Sequence, residues 1–454
     1  MLKKIMLFAG PLAALAAGLL MRDSGPAVAW TVAVTTLCAA WWITEAVPIP
    51  VTALIPIGLL PLVGAIPPSQ AARAVGDPLI MLLMGGFMLS TAMEKSGAHR
   101  RIALGMINLF GASDGRRLVF GFMAAAAVLS MWISNTATAL MLLPIALAVI
   151  QGCDDKRLAL PLLLGMCYAA SIGGTGTPVG TPPNLIFMRV YEESTGNQLG
   201  FTQWMSWALP VVIVMLPIAG FWLTRGLKLR APVQLPAVGT WRTEEVRTLV
   251  VFAITALLWV TRREPFGGWS GLLGLDQAHD GSVALLAVVA MFVIPNGAGG
   301  RLLDWKTAAG IPWGVLLLFA GGICLAGAFA STGLSATLGS ALAAQADWTP
   351  LLLILLICLA VTFLTEITSN TATTSLLMPI LAAAAVAAGM EPRLIMVPAA
   401  ISASFAFMLP VATGPNAVIF SSGRLTVPQM AREGLVLNFL GALVISTITY
   451  WLLS

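Results

Sequence analysis

The chain writes nearly the same twelve residues twice: SNTATALMLLPI begins at Ser134 and SNTATTSLLMPI at Ser369, 235 positions later. Each copy sits at the middle of an apolar run, 118–150 and 350–388, too long for one membrane crossing of about 20 residues and too short for two. A chain entering a bilayer there must turn at the Ser-Asn-Thr cluster and leave by the side it entered, so each run predicts a re-entrant hairpin. Such a turn strands the last carbonyls of the first arm and the first N–H groups of the second, and lipid satisfies neither. Both tips must therefore face protein, water or solute.

The rest of the chain fits that setting. Of 454 residues, 58% are apolar and 9% charged, against about 25% charged in an ordinary soluble domain. Apolar runs near 5–21, 27–47, 51–66, 78–94, 158–188, 204–224, 246–261, 282–295, 311–331, 393–421 and 432–453 predict eleven transmembrane helices of an all-α polytopic membrane protein. Cytoplasmic loops collect Lys and Arg. With the N-terminus cytoplasmic and the C-terminus periplasmic, eighteen of the 24 basic residues fall inside, and only Arg22, Arg73, Arg189, Arg262, Arg263 and Arg393 fall outside. Counting either hairpin as a full span inverts everything after it and spoils that split. The basic, apolar opening reads as a retained first helix of a bacterial inner-membrane protein rather than a cleaved signal.

The duplication is wider than the two tips. LLMGGFMLSTAMEKSG (82–97) aligns with LFAGGICLAGAFASTG (318–333), and VGTPPN (179–184) with VATGPN (411–416), all at offsets between 232 and 236. An odd number of spans between the copies turns the second upside down. Inverted repeats of this kind are a secondary-transporter architecture, with the binding site near the midplane where the halves meet.

Ser, Asn and Thr are natural caps for a helix that starts at a tip. Two second arms starting near the midplane offer N–H donors and about half a positive charge each, which suits an anion. The Gly/Pro breaks at 173–184 and 409–416 expose carbonyl oxygens within otherwise helical runs. The first half thus collects Ser130, Ser134, Asn135 and a carbonyl near Gly180, and the second Thr365, Ser369, Asn370 and a carbonyl near Ala412. Neutral oxygens without thiols or imidazoles match a hard cation, Na⁺ better than Mg²⁺. No Lys or Arg lies in either tip or break, so the anion must be held by helix dipoles, side-chain donors and the cations themselves.

These paired Ser-Asn-Thr tips and Thr-Pro-Pro-Asn or Thr-Gly-Pro-Asn breaks, with ITEAVPIPVTALIPI at 43–57, resemble the divalent anion/sodium symporter family over essentially the whole chain. The resemblance implies sodium-coupled uptake of a C4 dicarboxylate such as succinate, malate or fumarate, with two or more sodium ions transported alongside. It implies a homodimer working as an elevator: scaffold helices in 1–66, transport elements in 78–224, scaffold-side helices and the start of the second transport unit in 225–331, and the remaining transport elements in 350–454. Substrate carboxylates would meet Ser134, Asn135 and Thr136 from one side and Ser369, Asn370 and Thr371 from the other, with Thr181, Thr413 and Gly414 nearby. Gly414 stands where many relatives carry proline. Two other transport readings share the architecture: a dicarboxylate exchanger without sodium coupling, and a sodium/proton antiporter, which Glu366 near the second tip would serve.

Other features read as structural. Glu45 ends a helix at the interface, His99 and His279 lie in solvated connections, and Trp204, Trp207 and Trp305 read as interfacial anchors. Five scattered cysteines without CxxC spacing suggest neither a disulfide frame nor a metal site. GASDG (111–115) lacks the strand–turn–helix setting of a hydrolase nucleophile. No buried histidine or paired carboxylates equip an enzyme, and no nucleic-acid motif accompanies the net charge of +5.

Overall fold

The computed structural model describes residues 2–111, 114–153, 155–227, 239–263, 266–275, 277–334 and 349–454. Lys228 and Arg230 of the charge balance, and the middle of GASDG, lie outside them. Regular structure among the described residues is helical, apart from one bridge between Pro295 and Arg301. Prolines at the first or second position start the helices Pro26–Thr44, Pro68–Val75, Pro78–Ser96, Pro182–Thr195 and Pro350–Thr365, where the missing N–H has no intrahelical partner to lose. Gly97 and Gly333, 236 positions apart, end the two aligned helices Pro78–Ser96 and Trp313–Thr332 in the left-handed conformation, with φ of 77° and 76°.

Among the described residues, seven stretches are long and apolar enough to cross a membrane by length and composition: Lys3–Leu20, Pro26–Thr44, Pro68–Ser96, Phe201–Leu223, Trp313–Thr332, Asn370–Ala387 and Val427–Leu453. Shorter apolar helices pack among them, and the chain is a multi-pass membrane protein. The run at 51–66 resolves into Ile49–Thr52 and Leu54–Leu62. The duplicated segments form two helix pairs, Gly115–Ser130 with Asn135–Gln151, and Pro350–Thr365 with Asn370–Ala387. Their first arms of 16 residues reach about 24 Å at 1.5 Å per residue, short of a core about 30 Å thick. Both breaks are present. Ala159–Gly174 gives way to Pro182–Thr195, and Arg393–Ser402 to Gly414–Phe420.

Three local expectations need correction. The segment after Lys95, expected as a connection, is the helix Ala98–Phe110. It buries Ala103, Leu104 and Ile107 while Arg100 stays exposed. Arg101 pins it by bonding Glu245 at 2.9 Å and the Gly239 and Thr240 carbonyls at 2.7 Å each. His99 therefore sits in a helix, its Nδ1 2.9 Å from the Met93 carbonyl, and His279 caps Asp280–Val293 through Ser282 N–H. Trp204 is fully buried rather than interfacial, because its indole N–H donates to the Thr175 carbonyl inside the first break at 2.8 Å. Glu45 ends its helix as expected, exposed and paired with Lys3 at 3.0 Å.

Candidate functional site

A cavity of about 510 Å³ brings the two tips together. Ser134, Asn135 and Thr136 line it from the first hairpin, Ser369, Asn370 and Thr371 from the second, and Gly180, Thr181, Ala412, Thr413 and Gly414 from the breaks. The Ser134 hydroxyl accepts from Ala137 N–H at 3.1 Å and so caps the helix behind it. Thr413 does the same for Asn416 at 3.2 Å. Ser369 heads the second arm without such a bond, and the hydroxyls and amides of both tips are half-buried beside the cavity. Anionic oxygens would find donors there from two directions.

Behind each tip lies a set of converging oxygens. The Ser130 hydroxyl, fully buried, donates to Asn135 Oδ1 five residues on. A Cβ built on Gly180 would meet the Gly174 and Ser130 carbonyls, and one on Gly174 would meet Asn135 Oδ1; only glycine lets these oxygens crowd one point. In the second half, Thr365 Oγ1 lies 2.7 Å from Asn370 Oδ1, again five residues on, and 2.9 Å from the Ala403 carbonyl, its single proton shared between the two acceptors. Thr365 is fully buried. The structure thus brings Ser130 to Asn135 and Thr365 to Asn370, while Gly180 and Ala412 face the cavity. Hydroxyl, amide and carbonyl oxygens of this kind suit an alkali cation.

The breaks are held by one device used twice. Asn184 Nδ2 donates to the carbonyls seven and ten residues before it, Thr177 at 2.7 Å and Gly174 at 3.1 Å. Asn416 Nδ2 donates to Leu409 at 2.9 Å and Ala406 at 3.0 Å, the same two offsets. Both asparagines are fully buried. Cys167 donates to Asn416 Oδ1 across the halves.

Glu366 is occupied by hydrogen bonds. Its Oε1 accepts from Phe407 N–H at 2.7 Å, Met408 N–H at 2.8 Å and Asn438 Nδ2 at 2.7 Å, and its Oε2 from Leu409 N–H at 3.0 Å. The carboxylate terminates the interrupted backbone of the second break.

The cavity has lining residues to which the sequence reading gave no role: four from one helix, and Leu140, Gly310, Ile311, Pro312 and Val315 elsewhere. Phe87, Ser90, Thr91 and Glu94 recur at three- and four-residue steps along Pro78–Ser96 and face the cavity from one side of that helix. At this end Lys95 bonds Asp304 at 2.7 Å. Lys95, with the Thr307 N–H, holds the Asp304 carboxyl well below the usual carboxylate range.

A helical membrane protein whose two polar tips line one cavity has a place to hold a polar solute among its apolar helices. Comparison with solved structures agrees on the fold. The Neisseria gonorrhoeae MtrF protein, described as illuminating a class of antimetabolite efflux pumps, matches 84% of this chain and 83% of its own with a TM-score of 0.59. The Alcanivorax borkumensis YdaH transporter matches 86% and 88% with a TM-score of 0.57. Both are 15% identical in sequence. The citrate transporter family model matches residues 39–399. The sodium-dependent dicarboxylate transporter SdcS of Staphylococcus aureus strain MSSA476 is 38% identical over 93% of this chain and 86% of its own, and that of Staphylococcus saprophyticus is 37% identical over the same shares. The chain therefore belongs to the divalent anion/sodium symporter family, and it is a transporter rather than an enzyme.

Proposed function

We propose that the protein is a sodium-coupled symporter of a divalent organic anion, most simply a C4 dicarboxylate such as succinate, in a bacterial inner membrane. The observation that carries this reading is the cavity shared by both Ser-Asn-Thr tips, with an oxygen cluster behind each and no cationic side chain among the described residues that line it. A dianion placed there has only neutral donors to replace its hydration. Sodium ions lodged at Ser130, Ser134, Asn135 and the Gly180 region, and at Thr365, Ser369, Asn370 and the Ala412 region, would supply the missing positive charge beside it. Cation binding then precedes and strengthens anion binding, and by linkage the anion strengthens cation binding equally. Substrate carboxylates meet Ser134, Asn135, Thr136 and Thr181 on one side and Ser369, Asn370, Thr371, Thr413 and Gly414 on the other. The sodium-dependent dicarboxylate relatives support the same pairing of ions.

The finer architecture belongs to the same proposal. Eleven spans and two re-entrant hairpins are related as inverted repeats, which the matched offsets of Ser130–Asn135 with Thr365–Asn370, and of Asn184 with Asn416, support. The N-terminus is cytoplasmic. The two hairpins and the broken helices behind them move as an elevator against a homodimeric scaffold, with which Pro78–Ser96 stays because it packs along Asp280–Val293 of the scaffold-side segment. Labelled succinate uptake into proteoliposomes tests the core of the reading: an inward Na⁺ gradient should drive accumulation, and choline in its place should abolish it. Equal uptake in choline would overturn sodium coupling.

A further inference from the structure

Glu94 is the one charged side chain among the described residues that line the cavity, and it has no part in the site as proposed. It is exposed at the cavity's margin. Its one side-chain partner among the described residues is Ser90, whose hydroxyl donates to Oε1 at 3.5 Å. The neighbouring Lys95 is turned to Asp304 and does not line the cavity. A carboxylate in a compartment meant for a dianion raises the energy of its occupant, so mere attraction does not explain it. The aligned position in the second half is Ala330, so the negative charge marks one end of the duplicated pathway.

The basic residues assign that end to the cytoplasm. Resting on the proposed transport of a dianion with this orientation, we infer that Glu94 is a release-directing, affinity-setting residue of the inner mouth. It weakens the anion's hold when the site is open to the cytoplasm and has no equivalent when the site is open outward. The same charge draws sodium to the mouth, so the anion leaves before the cations. A cavity of 510 Å³ places a bound dianion on the order of 10 Å from Glu94, where a water-like dielectric gives a repulsion equivalent to roughly a fourfold loss of affinity.

The test measures succinate KM at each face: inside-out membrane vesicles expose the cytoplasmic side and right-side-out vesicles the other. Glu94→Gln should lower KM about fourfold in inside-out vesicles and leave it unchanged in right-side-out ones. Glu94→Lys, which changes the charge by two, should lower it about fifteenfold, while Glu94→Asp should match the parent. A role in folding alone follows size rather than charge and would not produce this graded series. Equal KM for the parent and Glu94→Gln at the inner face, or an equal shift at both faces, would overturn the inference. A parent protein without Na⁺-dependent succinate transport in either vesicle type would instead overturn the proposed function beneath it.

Discussion

The two tips hold on to their breaks through the same pair of positions, the break donating in both halves but the side chain coming from opposite partners. In the first half the Thr177 hydroxyl, from the break, donates to the backbone carbonyl of Met131 at the tip. In the second half the aligned residues are Leu409 and Glu366, and there the break's backbone N–H donates to the tip's side chain. Thr175 and Gly176 close their N–H groups in short turns onto Ile172 and Gly173, whereas Phe407 and Met408 rely on Glu366. A duplicated scaffold thus keeps its junction and exchanges which partner supplies the side chain. The acid at the second tip is a consequence of that exchange, which explains why it has no acidic twin.

This contrast makes unequal mutational effects at equivalent positions. Glu366→Ala strands four donors, two of them buried, and each buried one is worth about 1–3 kcal/mol, so thermal unfolding in detergent should show a loss of at least about 2 kcal/mol. Thr177→Val removes one bond and should cost about 1 kcal/mol. Similar losses at the two positions would break the comparison. The oxygen clusters should behave alike instead. Asn135→Ala and Asn370→Ala each leave a dehydrated cation one oxygen short, and the Na⁺ concentration for half-maximal uptake should rise roughly 30- to 100-fold in both, about 2–3 kcal/mol.

A smaller effect should separate the breaks at Gly414 and Pro182, which are aligned. A Cβ on Gly414 would run into Thr136 Oγ1 of the opposite tip, so glycine here is a clearance between the halves. Gly414→Ala should raise succinate KM about tenfold, about 1.4 kcal/mol, and Pro182→Ala should change it far less. In the double variant with Thr136→Ala the two losses should not add, because the first removes what the second displaces. Additive losses would show that Gly414 acts on something other than Thr136.

The tips and breaks were legible because polar clusters and Gly/Pro runs stand out against apolar sequence, and because each occurs twice. What escaped has physical reasons. The Ala403 carbonyl is a backbone group and leaves no trace in residue type. Ser90, Thr91 and Glu94 lie in the closing turns of an apolar helix, where polar residues ordinarily meet the interface, and only the packed structure turns that face toward the tips. Ala98–Phe110 begins with His99, Arg100 and Arg101, and its charge concealed its apolar stripe. Trp204 looked like an anchor from its place near a helix start, although the break it supports offers a buried carbonyl to its indole. Asn184 and Asn416 were visible as motif letters, but their shared reach of seven and ten residues required coordinates.

Those two asparagines have one more implication. They tie the interrupted carbonyls to the chain itself rather than to any passenger. An unwound stretch in an apolar surrounding therefore needs no visiting ion to keep its backbone satisfied, and the chain can hold both interruptions open by its own amides.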